Sequence, residues 1–173
     1  MSGDQSRSVG APIADPRAQQ LVQLLDLAPH PEGGFYKETF RAAQAVAPAD
    51  GRGPRRGLTA IWFLLPAGAV SRWHRVTSDE AWHWYEGAPL ELVSFPPEGG
   101  QPTATRLGPL AEGATPQHVV PAGWWQAARS TGAYTFVGCT VGPGFDFADF
   151  TMLSDIPAAE RPTVASPLLP EFL

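Results

Sequence analysis

The chain has 173 residues and a formal net charge of -5 at pH 7. This length suits about one domain, and the acidic balance excludes the broad basic surface that binds the phosphates of nucleic acids. The longest uncharged run, residues 58–71, is interrupted by Pro66 and too short to cross a bilayer, and Cys139 as the single cysteine excludes an internal disulfide.

The N-terminal region is polar, and we expect residues 1–14 to be mobile. It lacks the apolar run of a secretory signal, which predicts a cytoplasmic protein. Asp15 is a favourable N-cap and Pro16 suits the first helical position, so a short helix is expected to begin there. We expect residues 15–173 to form one domain.

A turn cluster and a strand are predicted next. HPEGG at 30–34 is rich in turn residues, with His30 expected as a hydrogen-bonded turn residue, and FYKETFR at 35–41 nearly alternates like a strand. Strict alternation places Glu38 and Arg41 on opposite faces, so no direct pair between them is expected. One of them is expected at the mouth of a pocket, where Arg41 would suit an anionic ligand.

From Leu58 onward, strand-like segments recur with turn residues between them. Their spacing predicts a closed or sandwich-like β structure and not alternating βαβ units. The segments are LTAIWFLL, VSRWHRV, EAWHWYE, LELVSF, TATRLG, HVVP, WWQAAR, AYTFVGCTV and FDFADFTML.

The segment GAVSRWHRVTSDEAWHWYEG carries the most specific pattern. Gly68, His74, Glu80 and Gly87 have the spacing of the first cupin signature, which is Gly, five residues, His-x-His, three or four residues, Glu, six residues and Gly. Val76 stands where the second histidine belongs. Because residues two apart on a strand share a face, this valine is expected beside His74.

Other segments extend the likeness. Pro121 and Gly123 match the second cupin motif, in which Gln126 replaces the final histidine. Together with the first motif, the chain resembles the small cupin family called cupin 5 or DUF985. The matching segments are HPEGGFYKETFR, TAIWFLL, SRWHRVTSDEAWHWYEG, VPAGWWQAA and VGCTVGPGFDFADF.

The resemblance implies an all-β fold, a double-stranded β-helix or cupin jelly-roll barrel, with the short helix before it. It also implies a homodimer and a pocket inside the barrel. Such proteins are similar in architecture to dTDP-4-dehydrorhamnose 3,5-epimerases and to plant storage and auxin-binding cupins. The group has no settled activity, so the resemblance predicts a fold and a pocket but no reaction.

His74 and Glu80 are the candidate catalytic residues, and Gln126 is a candidate ligand contact beside them. The alternative is that His74 and Glu80 only hydrogen-bond each other and the barrel wall. The same three residues are also the candidate metal ligands. An amide oxygen binds late first-row metals more weakly than an imidazole nitrogen, which disfavours that role.

Three further residues are candidate ligand contacts. His83 faces away from Glu80 unless a bulge turns it inward. Arg75 would suit an anionic ligand or a surface ion pair. Tyr134 would supply a hydroxyl acid if it faces inward. Cys139 is expected to be an inert buried thiol.

Three functions are consistent with these residues. The first is binding of a small polar or anionic metabolite, sugar-like or carboxylate, with epimerase- or isomerase-type chemistry and no required cofactor. In this hypothesis His74 moves a proton and Glu80 orients its imidazole. The second is a non-catalytic ligand-binding cupin. The third, a cupin enzyme dependent on a divalent metal, ranks last because two imidazole ligands are replaced.

Overall fold

The computed structural model describes residues 12–164 and 166–173. The segment predicted to be mobile lies outside these residues except at positions 12–14, and its mobility stays a prediction. The predicted helix is present as α1, Pro16–Leu25, and the Asp15 side chain accepts the backbone N–H groups of Arg17 and Ala18, each at 2.9 Å. None of the described helices has the length and apolar character needed to span a membrane.

Strands make up most of the remaining regular structure. Within residues 12–164 and 166–173 they are β1 Ala28–Pro29, β2 Phe35–Arg41, β3 Ala45–Val46, β4 Arg55–Arg56, β5 Thr59–Pro66, β6 Val70–Val76, β7 Asp79–Gly87, β8 Leu90–Phe95, β9 Thr103–Leu107, β10 Gln117–Val120, β11 Trp125–Ser130, β12 Tyr134–Gly142 and β13 Phe150–Met152. Short 3-10 helices occur at Ala111–Gly113, Phe147–Asp149, Leu153–Asp155, Ala158–Glu160 and Pro170–Phe172.

The strands form two facing antiparallel sheets. One has the order β1-β2-β5-β12-β7-β10, the other has the order β13-β6-β11-β8-β9, and β3 pairs with β4. Buried side chains from both sheets, including Phe63, Trp82 and Leu92, pack between them. The predicted double-stranded β-helix is therefore confirmed, and burial of this apolar surface is the main force that holds the sheets together.

The outer faces of the sheets are covered differently. Helix α1 packs Leu21 against Leu64 and Phe136 on part of the six-stranded sheet. The C-terminal tail packs Phe172 against Trp73 on the five-stranded sheet, with ring centroids 5.7 Å apart. A site between the sheets can therefore lie only where the core side chains leave space.

Two bulges in the six-stranded sheet change which residues face that space. In β2 the pairing with β5 shifts between Glu38 and Phe40, so Thr39 is an extra residue. In β7 the pairing with β12 shifts at Tyr85. Because an extra residue reverses the alternation beyond it, Glu38 and Arg41 lie on the same face. The expectation that they lie on opposite faces is wrong.

The HPEGG turn is attached to the neighbouring sheet. The backbone N–H of His30 donates to the Gly34 carbonyl at 3.0 Å and closes the turn. The backbone N–H of Arg72, on β6, donates to the Glu32 carbonyl at 2.9 Å. The turn is therefore closed by its own hydrogen bond and attached to β6, and it forms part of the wall of the space between the sheets.

Replacing Gly34 by alanine should destabilise the protein more than replacing Gly68. Both glycines have positive φ, 71° and 78°, so both substitutions incur a left-handed cost of about 1–2 kcal/mol. A Cβ at Gly34 would also lie 2.8 Å from the Leu64 carbonyl oxygen, whereas one at Gly68 would meet no atom within 4 Å. We expect Gly34→Ala to lower the free energy of unfolding by about 3 kcal/mol and Gly68→Ala by about 1 kcal/mol, measured by urea denaturation. Equal losses would show that the contact with Leu64 does not matter.

Candidate functional site

A cavity of about 430 Å³ lies between the two sheets. Four predicted site residues line it: His74, Glu80, Glu38 and Arg41. The complete lining is Asp26, Ala28, His30, Glu32, Tyr36, Lys37, Glu38, Arg41, Thr59, Ile61, His74, Val76, Glu80, Cys139, Val141, Phe145, Phe147 and Phe150. The cavity thus combines aromatic and aliphatic walls with a few buried acid and imidazole groups, as small-molecule sites do.

His74 has a fixed ring orientation. Its Nδ1 lies 2.7 Å from the Arg72 carbonyl oxygen, and its ring stacks on Phe150 with centroids 5.4 Å apart. Because a carbonyl oxygen only accepts hydrogen bonds, Nδ1 must carry the hydrogen. Nε2, 3.2 Å from a carboxyl oxygen of Glu32, is therefore the nitrogen without a hydrogen in the neutral ring.

Glu32 is the residue that the sequence analysis missed. It is buried, its Oε1 accepts from the Ser71 hydroxyl at 2.8 Å, and its Oε2 lies 3.2 Å from His74 Nε2 and 3.5 Å from His30 Nδ1. The hypothesis that Glu80 orients the His74 ring is replaced by this arrangement, in which Glu32 is the carboxyl partner. His30 is a hydrogen-bonded turn residue as expected, and it also lines the cavity.

Glu80 is held in place by two consecutive hydrogen bonds between side chains. The Gln126 amide nitrogen donates to Glu80 Oε2, and the indole N–H of Trp82 donates to Gln126 Oε1 at 2.9 Å. An indole N–H is only a donor, so the amide oxygen must face Trp82 and the NH₂ group must face Glu80. Gln126 is outside the cavity lining and acts on the site through Glu80. Cys139 also lines the cavity, where its thiol lies in the electrostatic field of Glu80.

The donors present do not match a metal centre at His74, Glu80 and Gln126. The Gln126 oxygen is already bonded to Trp82, and Val76 places an apolar side chain in the cavity where the second imidazole would stand. Among residues 12–164 and 166–173, no three His, Cys, Asp or Glu side chains are arranged to hold a metal. We therefore derive no chemistry through a metal from these residues.

Burial favours the neutral form of the groups inside the cavity. It raises the pKa of the Glu32 and Glu80 carboxyls above their usual range and lowers the pKa of the His74 and His30 imidazoles. Burial also raises the pKa of the Cys139 thiol. The buried acids therefore tend to keep their protons, and the imidazoles tend to lack a second one.

Glu38 and Arg41 form a pair at the mouth of the cavity. Arg41 Nε and Nη2 donate to the two Glu38 oxygens at 2.9 and 2.6 Å, and Nη1 lies 3.4 Å from the Phe145 carbonyl oxygen. This contact corrects the expectation that no direct pair forms. The bulge at Thr39 is the cause, because it turns both side chains toward the cavity.

The other candidate contacts lie outside the cavity. His83 faces the outer side of β7, 3.4 Å from the Thr140 hydroxyl, because the β7 bulge follows it in the chain. The Arg75 guanidinium lies over the Trp125 ring, 4.8 Å from its centroid. The Tyr134 hydroxyl does not reach the cavity and donates to Glu86 at 2.7 Å beside helix α1.

Comparison with known proteins agrees with this architecture. A family model described as Cupin superfamily (DUF985) matches residues 19–153. The crystal structure of protein SO0799 from Shewanella oneidensis is 38% identical, with a TM-score of 0.71 over 78% of this chain and 83% of that chain. A hypothetical protein from Leishmania major is 31% identical, with a TM-score of 0.71 over 78% of this chain and 85% of its own.

A further relative is consistent with the same family. The uncharacterized protein YML079W of Saccharomyces cerevisiae is 29% identical over 84% of this chain and 80% of its own length. The family match spans most of the chain and includes the strands that carry His74 and Glu80. The chain belongs to the DUF985 family of the cupin superfamily.

Proposed function

We propose that the protein binds a small polar, sugar-like metabolite in the cavity and moves protons on it, as an epimerase or isomerase does. The observation that carries this proposal is the placement of two separate acid–base units in one buried cavity, on facing sheets. One is the His74–Glu32 pair and the other is Glu80. Acid and base groups with shifted pKa values in a concave site are typical of proton-transfer catalysis.

The proposed step moves one proton onto the ligand and one away from it. Glu80 gives its proton to a carbonyl oxygen of the ligand, while Glu32 passes its own proton to His74 Nε2 and accepts a proton from the neighbouring carbon. The carbon–hydrogen bond, the π bond of the carbonyl and the O–H bond of Glu80 break, a carbon–carbon double bond and an O–H bond on the ligand form, and no electrons leave the ligand. Ionised Glu80 raises the pKa of His74, so each transfer favours the other. Return of a proton to the opposite face of the carbon, or to its neighbour, completes an epimerisation or isomerisation.

Catalysis should depend on both members of the His74–Glu32 pair. With a panel of ketoses and α-hydroxyaldehydes in deuterated water, we expect deuterium to enter the carbon beside the carbonyl. His74→Gln and Glu32→Gln should each slow this exchange by about 10²- to 10⁴-fold because a general acid–base group is lost. NMR of the recovered compounds measures the exchange, which should persist after EDTA treatment.

His118→Gln is the matched control, because His118 lies on β10 away from the cavity lining. It should exchange at the wild-type rate. Saturable binding in the cavity without exchange for any compound would instead favour the non-catalytic cupin. Exchange that survives His74→Gln would contradict the proposed step.

The proton on Glu80 should also appear in the stability of the protein. Burial raises the folded-state pKa of Glu80, so its contribution to the free energy of unfolding is complete below the unfolded value and is lost as the pH rises through the folded value. Glu80→Gln removes this titration. From about pH 5 to about pH 8 we expect the variant to lose less unfolding free energy than the wild type, by up to about 1.4 kcal/mol per pH unit.

Glu86→Gln is the control for that measurement. Hydrogen bonds from Arg17 and Tyr134 lower the pKa of Glu86 to about 2, so its contribution is present throughout this pH range and is lost only as the pH falls toward that value. The variant should differ from the wild type by a constant amount in urea titrations at each pH. A Glu80→Gln curve parallel to the wild type would show that Glu80 is ionised in the folded protein.

We also propose that the chain forms a homodimer through the outer face of the six-stranded sheet. One cross-strand row on this face runs through Phe40, Ala60, Thr140, Ala81 and Val119. Both ends of the row are large apolar residues about half exposed, 51% for Phe40 and 48% for Val119. An exposed apolar sheet face of this kind supports association with a second copy.

Tyr85→Glu tests the homodimer. Tyr85 is 50% exposed on the same outer face, where its ring lies over Gly138, and a buried carboxylate there would oppose association. Sedimentation equilibrium should show dimers for the wild type and monomers for the variant. Leu110→Glu, at a residue that is 79% exposed beyond β9, should stay dimeric. A monomeric wild-type protein would refute the proposal.

A further inference from the structure

The cavity changes in polarity from its interior to its mouth. The buried acids Glu32 and Glu80 lie inside, where burial favours neutral groups and an anion would lose its hydration. The two cations that line the cavity, Lys37 and Arg41, have side chains that are 42% and 41% exposed, and they are paired with Asp26 and Glu38. A negatively charged substituent is therefore disfavoured in the interior, and the cations that could receive it lie at the mouth.

Arg41 already holds a carboxylate in a two-pronged contact. Both oxygens of Glu38 accept from its guanidinium, and the Glu38 side chain is 39% exposed. The guanidinium fork fits a carboxylate or a phosphate in the same way. Because exposed ion pairs contribute little net stability, an incoming anion can replace Glu38 while that side chain turns to water.

The surroundings of Arg41 limit where such an anion can sit. Asp146 acts on Arg41 through its negative charge, but its side chain accepts the Ala148 backbone N–H at 2.8 Å and stays on its own loop. Phe145 and Phe147 line the same mouth, with ring centroids 5.0 Å apart. An anion that takes the position of the Glu38 carboxylate would thus accept both hydrogen bonds from the Arg41 guanidinium.

We propose that Arg41 exchanges Glu38 for an anionic oxygen group of the ligand, so that the substrates are small polar compounds carrying a phosphate or a carboxylate. This inference rests on the proposed function, since it orients the uncharged part of the ligand toward His74 and Glu80. Glu38 then occupies the anion position in the free protein and competes with the ligand for it.

A second arginine pair provides a matched control. Arg17 donates from Nε and Nη2 to the two Glu86 oxygens at 2.7 and 3.0 Å, and these side chains are 45% and 36% exposed. Its geometry and exposure resemble those of the Arg41–Glu38 pair. The pair joins helix α1 to β7 outside the cavity lining, so we expect no ligand to reach it.

The experiment titrates the protein with inorganic phosphate and, separately, with acetate, and follows the Nε–H signals of Arg41 and Arg17 by NMR. We expect Arg41 to respond and Arg17 not to. Glu38→Gln removes the competitor and should tighten binding about threefold to fivefold, the effect of one exposed ion pair. Glu86→Gln and Arg17→Gln should leave the dissociation constant unchanged within about twofold, and Arg41→Gln should abolish saturation.

Tighter binding of phosphate or of acetate would identify which anionic group the ligand carries. An equal response of Arg17 and Arg41, or unchanged affinity in Glu38→Gln, would overturn the inference. These outcomes are independent of the deuterium exchange assay, because free phosphate and acetate have no reacting carbonyl. Failure of the proposed catalysis is therefore distinguishable from failure of the anion position.

Discussion

The contact between Glu32 and His74 is the constraint on which the site depends. A carboxyl group removed from water needs hydrogen-bond partners, and Glu32 finds them in the Ser71 hydroxyl and the His74 ring. The same contact joins the HPEGG turn to β6, since the Arg72 backbone binds both residues. The contacts that attach the HPEGG turn to β6 therefore also place the Glu32 carboxyl against the His74 imidazole.

Bulges decide which other side chains join them. The extra residue in β2 turns Glu38 and Arg41 to the cavity together, and the extra residue in β7 turns Glu86 outward to Arg17. A sheet of strict alternation would have placed a different set of charges around the cavity. The positions of these charged side chains thus follow from two local irregularities in the six-stranded sheet.

The sequence predicted the parts of this site that depend on local spacing. The distances from Gly68 to Gly87 correctly indicated the hairpin that carries His74 and Glu80, and Asp15 with Pro16 indicated the helix. Glu32 was missed because its partners are about forty residues away in sequence and meet it only through sheet packing. The carboxyl between a histidine and two glycines in HPEGG was the available signal. The residue pattern gives no sign of the bulges, so the Glu38–Arg41 pair could not be predicted from the sequence.

The sole thiol of the chain belongs to the cavity wall. Burial and the neighbouring Glu80 carboxyl keep Cys139 protonated, and only the thiolate reacts readily with oxidants or with other sulfhydryls. An oxidising environment would therefore leave this thiol unmodified, and two chains would not become cross-linked through it. The cavity wall at Cys139 keeps the same chemical character in reducing and oxidising surroundings.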